Sequence, residues 1–211
     1  MFPVILPLSL AFLMVFRPVG PVLAAENADV ALSLYLLGAF PSNQGLFAQG
    51  SNPSDTRITN GAGAGIKVAV FPRNLGNSIG IELESSGHGS GITFSSPMRA
   101  GSPASTNLWV FNSMANLILR YPGTVFLPYI GLGGGLSNGV LTHANIPGRS
   151  DPDFEGSWTF GSQFFGGMQG NLSETVFLFG EYKYFTATYH WKQLALDFRA
   201  QYAVFGIGLR F

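Results

Sequence analysis

The chain has 211 residues, no cysteine, 28 glycines, 19 phenylalanines and only 10% charged residues at zero formal net charge. The absence of cysteine excludes a disulfide framework, a thiolate metal site and a thiol nucleophile, and the neutral balance gives no electrostatic basis for binding nucleic acid. So little charge is atypical of a soluble domain, yet past the amino terminus no apolar run approaches the ~18 residues of a membrane helix.

In chain order, Met1 to about Ala25 reads as a cleaved secretory signal. Phe2 to Phe16 is an apolar run, and Val22-Leu23-Ala24 supplies small residues at the usual cleavage positions. Arg17 follows the run instead of preceding it, and Pro3, Pro7, Pro18 and Pro21 argue against a spanning anchor. The mature part is therefore residues 26–211.

Eight segments of that mature part alternate bulky and small or polar residues with the two-residue period of a strand. Val30 to Ala39 comes first, followed by Ile58 to Phe71, Ser78 to Ser86, Asn107 to Tyr121, Phe126 to Ser137, Ser157 to Gly170, Thr175 to Ala187 and Phe198 to Phe211. Tight turns at Pro72 to Asn77, Pro122-Gly123 and Asn171 to Glu174 alternate with long connections at 40–57, 87–106, 138–156 and 188–197. Strict alternation of short and long connections, an even strand number and strands of about ten residues predict a transmembrane barrel, all-β and antiparallel. Closure leaves no unpaired edge in lipid.

The last segment carries Phe205, Ile207, Leu209 and Phe211 on one face and Val204, Gly206, Gly208 and Arg210 on the other. Together with Leu127-Pro128-Tyr129-Ile130-Gly131-Leu132-Gly133-Gly134-Gly135 and Phe177-Leu178-Phe179-Gly180-Glu181-Tyr182-Lys183-Tyr184, it resembles the OmpA-like and OmpX-like eight-stranded outer-membrane proteins. The resemblance implies short periplasmic turns, long extracellular loops and residence in the bacterial outer membrane. It also implies that Phe205, Ile207, Leu209 and Phe211 form the insertion signal read by the barrel-insertion machinery. It implies no single activity, because this scaffold hosts tethers, adhesins and enzymes.

Strand parity points Lys67, Glu82, Glu84, Glu181 and Lys183 into the barrel at similar middle depth, with Arg120 and Arg210 inward near the periplasmic rim. The first five are expected to form a layer of ion pairs across the lumen, since small barrels are filled by side chains and buried charges need partners. His88-Gly89-Ser90, with Glu84 nearby, is similar to the His-x-Ser pair of PagL-type lipid A deacylases. No Asn follows the Ser, and the pair falls on the third strand instead of late in the chain. Gly131, Gly133 and Gly135 make room for Tyr129 and Gln163 instead of cradling phosphate, because no helix follows them. His143 and His190 are isolated, so no metal site is expected. Trp109, Tyr121, Trp158, Tyr182, Tyr184, Tyr189 and Trp191 read as interfacial girdle residues.

The sequence thus predicts a structural or surface-interaction protein that acts through its extracellular loops, with no catalytic residues and no cofactor. Its expected partners are outer-membrane lipid, the insertion machinery and an extracellular ligand of the loops. The alternatives are a small-solute channel past Lys67 and Glu181, and a lipid A acyl hydrolase using His88 and Ser90.

Overall fold

The structure, a computed structural model, describes residues 27–43, 45–48, 53, 55–95, 103–145, 154–192 and 194–211. The expected signal segment, residues 1–25, lies outside the described residues, as do parts of all four long connections.

Among the described residues ten strands follow in order. They are β1 (Ala28–Pro41), β2 (Leu46–Ala48), β3 (Arg57–Ile58), β4 (Gly61–Pro72), β5 (Ile79–Ser95), β6 (Pro103–Arg120), β7 (Phe126–Asn145), β8 (Phe154–Asn171), β9 (Val176–His190) and β10 (Leu194–Arg210). Each long strand pairs antiparallel with the next, and β10 returns to β1, so the eight long strands close into a barrel. The two short strands extend the wall at the loop end, β2 along the top of β10 and β3 along the top of β5.

The register fixes the barrel's shape. A path perpendicular to the strands runs Ala31, Ala69, Glu82, Asn116, Gly133, Gln163, Phe185, Ala200 and back to β1 at Pro41, ten residues beyond its start. Eight strands with a ten-residue offset, at standard strand spacing and rise, tilt by about 40°. At that tilt the circumference is narrow enough for inward side chains to meet across it.

Outward positions are apolar and exposed, with Leu36 at 72% and Phe205 at 64%. Inward positions pair aromatic rings with glycines on the neighbouring strand. Phe71 lies over Gly80, Phe165 over Gly131, Phe179 over Gly206 and Phe177 over Gly208, so a side chain at any of these glycines would occupy the ring's place. At the turn end the one-turn 3-10 helix Arg73–Leu75 stops at Gly76, whose φ of 64° is left-handed.

The strands are longer than the sequence reading placed them. β5 runs to Ser95 and β6 starts at Pro103, within the expected loop 87–106, while β7 runs to Asn145 and β8 starts at Phe154, within 138–156. Outward Gly87 and Gly89 hide the alternation in the sequence. In the fold the Phe111 and Trp109 rings cover them. Inward Ile92, Phe94, Leu108, Leu141, Leu194 and Leu196 build a second apolar core above the polar lumen.

Candidate functional site

The barrel interior is stratified. In the middle layer, β4 supplies Lys67, β5 supplies Glu82 and Glu84, and β9 supplies Glu181 and Lys183, all at least 94% buried. Lys183 donates to Glu84 and lies 3.2 Å from Glu181 Oε2, while Lys67 donates to Glu181 and lies 3.6 Å from Glu82 Oε2. Neutral donors add further bonds to the three carboxylates. Asn116 Nδ2 donates to Glu82 at 2.9 Å and to Glu84 at 3.1 Å, and Gln163 Nε2 donates to Glu84 at 2.8 Å. Tyr129 donates to Glu181 at 2.6 Å, and Tyr35 donates to Glu84. The Phe179 ring lies 4.6 Å from the Lys67 ammonium and the Phe165 ring 5.0 Å from that of Lys183, so the cations are enclosed by π-faces as well as carboxylates.

A second layer lies at the turn end. Arg120 Nη2 donates to Asp29 Oδ2 at 2.7 Å, Arg210 Nε approaches Asp29 Oδ1 at 3.0 Å, and Arg120 stacks 3.7 Å over Phe71. The middle layer sets two lysines against three glutamates, and this layer sets two arginines against one aspartate, so the interior balances only when both layers are taken together. Between them lies a cavity of about 30 Å3, touched by Lys67, Glu82, Tyr129 and Glu181 from one side and Arg120 and Gln169 from the other.

Sequence reasoning missed Asp29, Tyr35, Asn116 and the role of Gln163. Asp29 is second in its strand and shares parity with Ala31 and Ser33, a signal too short to stand alone. Asn116 and Gln163 lie on the same register path as Glu82, which only strand pairing reveals. The glycine reading is corrected as well. Gly131 accommodates Phe165 and Gly133 accommodates Asn116, whereas Tyr129 packs over Gly167.

His88 and Ser90 face the lumen at 1% and 8% exposure, and among the described residues neither the His88 nitrogens nor Ser90 Oγ has a hydrogen-bond partner. A hydrolase needs a base bonded to its nucleophile and access to the substrate. This pair has neither the bond nor the lipid-facing position. The girdle reading also needs correction at two positions, because Tyr189 (0% exposed) and Trp191 (7%) point inward, while Trp109, Tyr121, Trp158, Tyr182 and Tyr184 are exposed. Among the described residues no group of three or more His, Asp or Glu side chains could hold a metal ion.

A barrel with an apolar outer wall, short turns at one end and extended strands at the other matches what the comparisons find. The family of the outer membrane protein β-barrel domain matches residues 9–211. The chain belongs to that family. This outer-membrane protein sits in the bacterial outer membrane, with its apolar belt facing lipid. Among solved structures it is similar to OprG from Pseudomonas aeruginosa at 14% identity, covering 88% of this chain and 96% of that one with a TM-score of 0.55. It is likewise similar to Neisserial surface protein A at 14% identity, covering 87% and 97% with a TM-score of 0.52. At that identity the likeness concerns the fold. No curated protein matches the chain.

Proposed function

We propose that this outer-membrane protein is a closed barrel with a structural or surface-interaction role, presenting its extracellular rim to a ligand outside the cell and carrying no enzymatic activity. The observation that carries this reading is the middle layer of the lumen. Lys67, Glu82, Glu84, Glu181 and Lys183 are bonded to one another and to four neutral side chains across the bore. A solute would have to break several buried, charge-assisted bonds to pass, and eight strands leave little bore beyond the side chains themselves. The porin-like alternative gains no support from a cavity of about 30 Å3.

The same reading extends to assembly. The exposed outward positions Phe205, Ile207, Leu209 and Phe211 offer the insertion machinery an apolar stripe at the end of β10, and residues 1–25 act as the export signal removed before insertion. Single-channel recording on the purified barrel in a planar bilayer, with mass spectrometry of lipid A incubated with the same sample, tests the reading. Absence of stable conductance and unmodified lipid A are expected. Steady conductance would overturn the closed lumen, and deacylated lipid A would overturn the non-enzymatic role.

A further inference from the structure

The hydrogen-bonded ladder between β8 and β9 stops at Gly161 and Ala187, although β8 continues to Phe154 along β7 and β9 continues to His190 along β10. Above that point the seam is held by individual bonds. The His190 amide donates to Ser157 Oγ at 2.9 Å and the Lys192 amide to Glu155 Oε1 at 2.7 Å. The other two ties pass beneath β8 to β7. Tyr189 Oη donates to Ser137 Oγ, and Trp191 Nε1 donates to the Gly139 carbonyl at 3.0 Å. Tyr189 and Trp191 therefore form a latch across a seam that the backbone does not close.

That latch belongs to a continuous series of rings. Trp191 lies 5.5 Å from Tyr189 between ring centroids, Tyr189 lies 6.0 Å from Phe198, and Phe198 lies 6.0 Å from His88. Tyr202 meets the imidazole edge-on at 5.2 Å. His88 is the one imidazole in this series, and both of its nitrogens are buried without a partner. Among the described residues the groups around it offer no counter-charge. β4 presents glycine at the paired Gly63, β6 presents Val110 and Asn112, and β10 presents Phe198 and the phenol of Tyr202. Phe185 stands behind those rings on β9, and on β5 itself the nearest carboxylate is Glu84, two inward positions below and already bonded to Lys183.

We propose that His88 is an acid-triggered release for the Tyr189–Trp191 latch: protonation places an uncompensated cation among aromatic rings, the ring series parts, and the β8–β9 seam opens at the extracellular end. The ion-paired middle layer is outside this series, so the membrane-spanning barrel stays closed while the rim changes shape. An imidazole is the side chain suited to such a trigger, because one proton turns it from a neutral ring into a cation, and an unpaired charge is not tolerated in an apolar surround.

Trp191 reports on the latch directly. In the full barrel carrying W109F and W158F, both on the outer wall, Trp191 is the sole indole. Lowering the pH from about 7 to about 4 is expected to shift its emission to the red and to raise acrylamide quenching several-fold, reversibly and with unchanged strand content by circular dichroism. In the same background His88→Gln and His88→Phe abolish the transition; the first keeps an uncharged polar group and the second a ring, so a folding failure of one leaves the other. An unchanged transition in either folded variant, or none in the parent, would overturn the proposal.

Discussion

Lys183 donates to Glu84 and sits 3.2 Å from Glu181, so replacing it leaves two buried carboxylates without their shared cation. Lys183→Met is expected to destabilise the barrel by about 3–5 kcal/mol, the cost of breaking a buried pair from one side. Adding Glu84→Leu removes the orphaned carboxylate and should recover part of the loss. Urea titration of the lipid-reconstituted barrel checks both, and equal stability of Lys183→Met and the parent would contradict the ion-paired layer. Glycine positions divide in the same way. A Cβ on Gly135 would meet the Ser113 carbonyl and stand 2.8 Å from Met114 Cα, both backbone, whereas one on Gly166 would find its nearest neighbours at 3.9 Å. Gly135→Ala should cost about 1–3 kcal/mol through overpacking, and Gly166→Ala should stay within about 0.5 kcal/mol, as read by the same titration.

Toward the extracellular side, the end of β9 and the segment leading to β3 are each tied down by side-chain bonds of their own. Removing the Trp191 donor tests the latch without a change of pH. Trp191→Phe keeps a ring beside Tyr189 but leaves the Gly139 carbonyl without its donor, which should cost about 1 kcal/mol and raise amide exchange in β9 above Ala187 before it does so below. The segment leading to β3 is held to β5 by Asp55, which accepts from the Ser95 hydroxyl and, at 3.0 Å, from the Ser95 amide. The Ser95 hydroxyl, followed by the amide, holds the Asp55 carboxyl below its usual range. A folded value below the unfolded one makes this tie present above the unfolded value and lost as pH falls through the folded one. The Ser95 amide resonance should therefore titrate with a midpoint below the ordinary aspartate value of about 3.9, and Asp55→Asn should abolish that titration.

The whole barrel combines three interior zones: a turn-end pair of arginines on Asp29, a middle layer of lysines and glutamates, and an apolar and aromatic core toward the extracellular side. The lower two zones are charged and mutually compensating. The upper zone is held by packing and by side-chain bonds across the β8–β9 seam, so it is the zone where shape can change. Such a division suits the rim-presenting role proposed for this protein. Whole-protein amide exchange should accordingly be slowest in the strand segments around Lys67, Glu84 and Lys183 and fastest above Ala187. Uniform protection along β9 would argue against separate zones.

Much of this was legible in the residues alone. Side-chain alternation is a local property of an extended backbone, so the inward direction of Lys67, Glu82, Glu84, Arg120, Glu181, Lys183 and Arg210 could be read strand by strand. The alternation of turns with long connections gave the antiparallel order in the same local way. Which inward side chains meet is not local. It depends on the ten-residue offset around the closed circuit, which brings Asn116 and Gln163 to Glu84 and carries Asp29 to Arg120 and Arg210. Glycine concealed where β5 ends, because Gly87 and Gly89 have no side chains to alternate and borrow the rings of β6. Tyr189 and Trp191 look like girdle residues in sequence, since an aromatic near a strand end fits lipid and core equally well. The expected strand stops at Ala187, whereas β9 runs on to His190, so Tyr189 keeps the inward parity of Glu181 and Lys183. What only the tertiary structure decided is the break in the β8–β9 ladder, which lets Tyr189 and Trp191 reach beneath β8 to Ser137 and Gly139.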